Sequence, residues 1–183
     1  MERAAELFAE RGIAATSVDE VIAAAGAGKG QFYHYFGSRD ELAVATVGYR
    51  CAQVVAGLTE ALGGVSSLAG LEQALAGFVA GFEQAGMPGC PIGTLATEVA
   101  GRNEEARLQA AAGFDAWEQL LAGALERMRQ GGELRADARP AVLATGLLAS
   151  IEGGMMLSQA RKDMASLRVA VEAGLAQVRT WAR

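Results

Sequence analysis

Apolar side chains recur along this chain at three- and four-residue steps. Val18, Val21, Ile22 and Ala25 fall at i, i+3, i+4 and i+7. Val44, Val47, Cys51, Val54, Leu58 and Leu62 make a second stripe, and Leu68, Leu71, Leu75, Phe78 and Phe82 a third. Phe114, Trp117, Leu121, Leu125 and Met128 form a fourth, and Met164, Leu167, Val171, Leu175 and Val178 a fifth. Each is the spacing of a helix that buries one face. Runs alternating Val, Ile, Thr and aromatics with polar residues are missing, so strands have little support. Ser17-x-x-Glu20 and Ser38-x-x-Glu41 read as capping boxes. In each, the Ser hydroxyl accepts from the third helical N–H and the Glu reaches back to the cap's own N–H. Gly12, Gly26, Gly37, Gly63-Gly64 and Gly131-Gly132 close the segments before them. The pattern predicts an all-α chain of about nine helices, near 1–11, 18–25, 29–35, 39–62, 68–85, 93–102, 104–130, 139–162 and 165–182. The first three are short and crowded, and the rest are long enough to pack as a bundle.

Composition narrows the function classes. The 183 residues are 51% apolar and 20% charged, enough to bury a core. Sixteen Lys and Arg against 21 Asp and Glu give a net charge of −5. A wholesale basic coat for nucleic acid is excluded, but a local basic patch is not. The longest stretch without a charged residue, Gln84 to Thr97, contains Pro88 and Pro91 and is too short for a span of about 20 residues. The first residues lack the apolar core of a signal peptide, so a cytoplasmic protein without a membrane partner is expected. Cys51 and Cys90 are the two cysteines and His34 the one histidine. That leaves no disulfide framework and no Cys-based zinc site, and neither a metal nor a cofactor is expected. The 24 glycines include many inside helical patterns, Gly77, Gly81, Gly153 and Gly154 among them. A bias towards Ala and Gly, close helix contact, or room for a guest molecule would each account for them.

Residues 17–36 read helix, tight turn, helix. Val18 to Ala25 is amphipathic, Gly26 to Gly28 turns, and the next helix presents Lys29, Gly30, Gln31, Tyr33 and His34. That is helix-turn-helix logic, in which the second helix enters the major groove. From Ala24 to Arg39 there are Lys29, Arg39 and His34, with no acid. Residues 1–50 as a whole hold five basic and seven acidic side chains, so the reading rests on local arrangement. Gly26-Ala27-Gly28-Lys29-Gly30 has the glycines and lysine of a phosphate loop. No strand precedes it and no Ser or Thr follows the Lys, so nucleotide binding is set aside.

Several segments at fixed spacing then carry a specific resemblance. They are Leu7-Phe8-Ala9-Glu10-Arg11-Gly12, Ala15-Thr16-Ser17-Val18, Ala24-Ala25-Gly26, Lys29-Gly30-Gln31-Phe32-Tyr33-His34-Tyr35-Phe36 and Ser38-Arg39-Asp40-Glu41-Leu42. Together they resemble the DNA-binding domain of the tetracycline-repressor (TetR) family. The resemblance implies a TetR-type helix-turn-helix domain over residues 1–46 and a ligand-binding and dimerisation domain over 47–183. It places Lys29, Gly30 and Gln31 at base edges, Lys29 suiting guanine and Gln31 adenine. It places Thr16, Ser17, Tyr33, His34 and Arg39 at phosphates. Gly28 stands where Ser or Thr usually caps the recognition helix, and the chain opens partway into the family's usual first helix. Gly89-Cys90-Pro91-Ile92-Gly93-Thr94-Leu95-Ala96-Thr97-Glu98 is similar to a pattern seen in one branch of the family.

The remaining helices lack the parts of an enzyme. No nucleophile elbow, no Glu-x-x-His and no Cys–His pair away from His34 is found, and Glu98, Glu118 and Glu152 have no catalytic partner. Glu98 or Glu152 could instead bond a ligand, or be solvated or interhelical carboxylates. Phe78, Phe82, Met87, Phe114, Trp117, Leu121 and Met155 are the large apolar side chains best placed to line a cavity, with plain core packing the alternative for each. The family's cavity holds a small inducer. Cys51 sits on an apolar stripe and reads as a buried thiol. Cys90 lies just before a helix N-terminus, where the dipole favours thiolate, so it reads as a sensor or as structural. The last two helices form the expected dimer interface, through Leu147, Leu148, Ile151, Met155, Leu167, Val171, Leu175 and Val178, with Gly153-Gly154 permitting close approach. The expectation is a homodimeric, non-enzymatic repressor released from a double-stranded operator by a small-molecule inducer. The rival is a helical small-molecule-binding or -modifying protein without DNA binding.

Overall fold

The computed structural model describes residues 1–87, 89–99, 101 and 103–183. Among them the chain is all-α, with nine helices. They are α1 (Glu2–Arg11), α2 (Val18–Ala25), α3 (Lys29–Tyr35), α4 (Arg39–Leu62), α5 (Leu68–Gln84), α6 (Pro91–Val99), α7 (Glu104–Gln130), α8 (Pro140–Arg161) and α9 (Ala165–Arg179). Seven of the segments expected from periodicity match to within one residue at each end. The sixth begins earlier than the expected 93, at Pro91, because proline suits a helix's first turn, where its missing N–H has no partner to lose. Positions 100 and 102 of that expected helix, and Pro88 of the uncharged stretch, lie outside the described residues. The ninth stops at Arg179 instead of 182. The chain end turns away to pair with residues 133–135: Arg135 N–H donates to the Trp181 carbonyl at 2.8 Å and Arg183 N–H to the Glu133 carbonyl at 3.0 Å.

The chain divides into two compact units, residues 1–54 with 91–114, and residues 55–90 with 115–183. In the first, Ala4, Phe8, Val21, Ile22, Phe32, Leu42 and Ala43 make one core, drawn from α1 to α4. The Ser17 capping box forms as expected. At Ser38 only half of it does. The Ser38 hydroxyl accepts from Glu41 N–H at 3.1 Å, but the Glu41 carboxylate accepts from Gly37 N–H, one residue upstream of the cap.

In the second unit α8 packs along α9. A Cβ on Gly154 would sit 2.8 Å from the Ala170 Cβ, and one on Gly174 2.6 Å from Leu147 Cδ1. These glycines bring two helices of the same chain together, so Gly154 is not left for a partner, while Gly153 has open space. The same packing revises the expected dimer contacts. Leu147, Leu148, Ile151, Met155, Leu167, Val171, Leu175 and Val178 are all buried inside the single chain. Side chains so well covered by their own chain have little area left to give. The large apolar residues that α8 and α9 leave exposed are Val142, Met156, Leu157 and Val169. By length and composition α4 and α8 could each cross a membrane, a possibility that counting uncharged stretches missed. One face of each serves the interior: Leu42, Val47 and Leu58 of α4 and Leu143, Leu147 and Ile151 of α8 are buried.

Candidate nucleic-acid interface

The turn between α2 and α3 follows from Gly26. It is left-handed at φ 62 and ψ 27, a conformation open to glycine at no steric cost, and its N–H closes α2. Gly28 caps α3 in an extended conformation and without a side-chain bond, as its lack of a hydroxyl requires. Phe32 then anchors α3 in the core, its ring 5.5 Å from that of Phe36. Fixing Phe32 inward turns the rest of this seven-residue helix outward. Lys29, Gly30, Gln31, Tyr33, His34 and Tyr35 are all exposed. Tyr33 is 60% and Tyr35 69% accessible, more than packing alone would leave to two aromatics. Tyr35 was missed in the sequence reading. Its signal was the i,i+4 step from Gln31, which places both on one helix face.

Electrostatics fit an anionic partner at this face. No acid occurs in α3. Lys29 reaches back to Asp19 of α2 at 3.0 Å, and the hydrogen bond and charge of Asp19 raise the lysine's pKa. Lys29 therefore stays charged, and this exposed pair exchanges easily for a base edge or phosphate. Ser17 is exposed at the start of α2, its hydroxyl bonded to Glu20. The carboxylate of Glu20 is held below its ordinary range, first by its hydrogen bonds with Ser17.

Two expected phosphate contacts are turned inward instead. Thr16 is 1% exposed, and its hydroxyl donates to the Gly12 carbonyl at 2.8 Å. The Arg39 guanidinium donates to the Ile13 carbonyl, and its Nε is buried without a partner. Both side chains hold the α1–α2 loop. Spacing alone does not distinguish that task from reaching a phosphate, because each residue is polar and beside a helix start.

The expected ligand residues divide between the units. Glu98 and Phe114 belong to the first, and Phe78, Phe82, Met87, Cys90, Trp117, Leu121 and Met155 to the second. Glu98 accepts from the Ala14 N–H at 2.7 Å. In the second unit the Phe78 and Trp117 rings meet at 5.7 Å, while Leu121 and Met155 are buried. Glu118 accepts from the Thr145 hydroxyl at 2.9 Å. Cys90 is 7% exposed and bonded to the Glu152 carboxyl. Burial pushes that carboxyl up, and the bond from Cys90 offsets part of the shift. Cys51 is buried as expected, its thiol pushed up by that burial.

Known proteins match both halves of the chain. Residues 1–46 match the model of bacterial regulatory proteins of the tetR family. Residues 67–173, more than half the chain, match the C-terminal domain of LmrA/YxaF-like transcriptional regulators. An uncharacterised HTH-type transcriptional regulator of Mycobacterium tuberculosis is 35% identical over 177 residues, covering 90% of this chain and 84% of its own length. YxaF, an HTH-type transcriptional regulator of Bacillus subtilis, is 29% identical over 176 residues, covering 94% of this chain and 89% of its own. Among solved structures, a TetR-family transcriptional regulator from Cytophaga hutchinsonii superposes with a TM-score of 0.86 at 22% identity, over 99% of this chain and 92% of that one. These relatives are regulators, not enzymes, and they share the helix-turn-helix whose exposed face is described above. The chain belongs to the TetR family of DNA-binding transcriptional regulators.

Proposed function

We propose that the chain is a homodimeric repressor that leaves a near-palindromic operator when a small molecule binds. In this reading residues 1–46 bind DNA, residues 47–183 bind the effector and the second copy, and the protein works in the cytoplasm. The observation that carries effector binding is Glu152. Its Oε1 is buried with no hydrogen-bond partner, and burial favours the neutral acid. An unpaired buried polar atom costs free energy that a ligand's N–H or O–H would relieve. The apolar body of the effector would lie on the Phe78–Trp117 ring pair, with Phe82, Leu121 and Met155 behind it. Cys90 serves Glu152 as a donor here, not as a reactive sensor.

Dimerisation would use what α8 leaves uncovered. Val142, Ala149, Gly153 and Met156 fall on one line of that helix at steps of seven, four and three, and Val169 of α9 is 69% exposed. A two-fold contact would set two recognition helices about 34 Å apart, one turn of DNA. Helix α4, 24 residues and about 36 Å long, would act as a lever from bundle to DNA. Turning such a switch needs a differential affinity of a few kcal/mol between the two states. The rival, a small-molecule binder without DNA binding, leaves the outward aromatic and basic face of α3 without a purpose.

The test uses Trp181→Phe, so that Trp117 is the one remaining tryptophan reporter. Compounds that change its fluorescence are added to the protein on a labelled duplex that the wild-type chain selects from random DNA. Release of the duplex at the concentration that changes the fluorescence is expected. Compounds that bind beside Trp117 and never alter DNA affinity would refute the effector reading.

A further inference from the structure

Glu98 lies in the last turn of α6, 84 positions from its bonding partner, Ala14 in the α1–α2 loop. The Ala14 N–H donates to Glu98 Oε1 at 2.7 Å, the short distance of a charge-assisted bond. The carbonyl of the same peptide unit, that of Ile13, accepts from the Arg39 guanidinium at the start of α4. One peptide plane is thus gripped at both polar ends, by α4 on one side and α6 on the other. Gly12 is shaped for this grip. Its φ of +82 favours glycine, and a Cβ there would sit 3.0 Å from the same Glu98 oxygen. The Gly12 carbonyl in turn accepts from the buried Thr16 hydroxyl, and the next residue, Ser17, caps α2. Loop, cap and helix start are therefore fixed in sequence. A cavity of about 160 Å³ beside the grip is lined by Ile13, Arg39, Asp40, Glu98 and Asn103.

We propose that Glu98 is a positioning residue for DNA binding. Its carboxylate holds the α1–α2 loop and so sets how α2 and α3 are presented to the groove. The body that binds DNA is then composite. Residues 1–46 still make the DNA contacts, but the compact unit that holds them includes 91–114, and displacing α6 loosens the reading head directly. The inference rests on DNA binding, not on the effector or the dimer.

The experiment uses the full chain and the duplex that the wild type selects from random DNA. Glu98→Ala removes the acceptor, and Glu98→Gln keeps an oxygen in its place. Glu98→Ala is expected to weaken binding on the order of tenfold, with Glu98→Gln close to wild type. Because no phosphate contact is lost, the slope of log affinity against log salt stays unchanged. The Ala14 amide should be protected from hydrogen exchange in wild type and Glu98→Gln, and exchange freely in Glu98→Ala. Wild-type affinity in Glu98→Ala overturns the proposal. So does an equal loss in Glu98→Gln, or tighter binding by both variants, since either outcome makes bare charge the cause. If Glu98→Ala fails to fold, the wild-type Ala14 amide decides: exchange at an unprotected rate overturns the proposal.

Discussion

Replacing Gln31 and replacing Arg39 should change DNA binding in two different ways. Gln31 stands exposed on α3, where its amide can pair with adenine N6 and N7. Such a pair is worth about 2 kcal/mol of discrimination, or about 30-fold per half-site. A dimer reading two half-sites would show about 10³-fold. Gln31→Ala should therefore flatten the preference at one base pair in each half-site and leave other positions alone. Arg39 is different, because its guanidinium is committed to the Ile13 carbonyl. Each neutralised phosphate adds about 0.9 to the salt slope. Two arginines on phosphates would make the wild type lose about tenfold more affinity than Arg39→Ala between about 50 and 200 mM salt. The inward Arg39 predicts no such difference: Arg39→Ala should weaken binding at every salt concentration by the same factor, by freeing the loop. Fluorescence anisotropy on the selected duplex and its single-base variants, titrated across that salt range, measures both quantities. Unchanged discrimination in Gln31→Ala, or a shallower salt slope in Arg39→Ala, would refute this division of labour.

Three further outcomes are expected. Burial raises the Glu152 pKa above its ordinary 4.5, so the folded state loses stability as pH rises through that value and the unfolded carboxyl ionises first. Glu152→Gln should raise Tm at neutral pH and leave it nearly unchanged in acid below that value, as followed by circular dichroism; an equal gain at both would contradict the burial argument. Gly174→Val should destabilise by about 1–3 kcal/mol, since even its first carbon would meet Leu147, whereas Gly81→Ala, with nothing within 4 Å, should gain up to about 1 kcal/mol in denaturant unfolding. Met156→Arg, at a position 66% exposed, should leave the fold intact yet yield monomers by light scattering and poor operator binding; a dimer of wild-type affinity would move the interface elsewhere.

Periodicity revealed the fold because each helix buries a face, and burial repeats at the helical period whatever the partner. The boundaries that slipped are those where something else intervenes. At Pro91 the rule for a helix's first turn applied, and at Arg179 a backbone pairing with residues 133–135 drew the chain end away. The outward face of α3 was legible for the same local reason, since Phe32 fixes which side of seven residues faces out. The dimer residues were not. Leu147, Ile151 and Leu167 follow the apolar period whether they meet a partner chain or a neighbouring helix, and only the structure shows α9 already covering α8.

Thr16, Arg39 and Glu98 illustrate a deeper limit. By sequence each suits a partner outside the chain, Thr16 and Arg39 a phosphate and Glu98 a ligand, and each is bonded instead within or to the loop between α1 and α2. Polar residues beside helix ends suit external anions and internal backbone groups equally well, because both present the same donors and acceptors. The choice depends on which unsatisfied backbone group lies within reach, and that is set by residues far away in sequence. Here the peptide between Ile13 and Ala14 needed a donor and an acceptor, and α4 and α6 supplied one each. A motif covering residues 1–46 contains the arginine but not the glutamate. The half of the grip outside it is therefore invisible to any reading confined to the DNA-binding segment, although it bears on how that segment meets DNA.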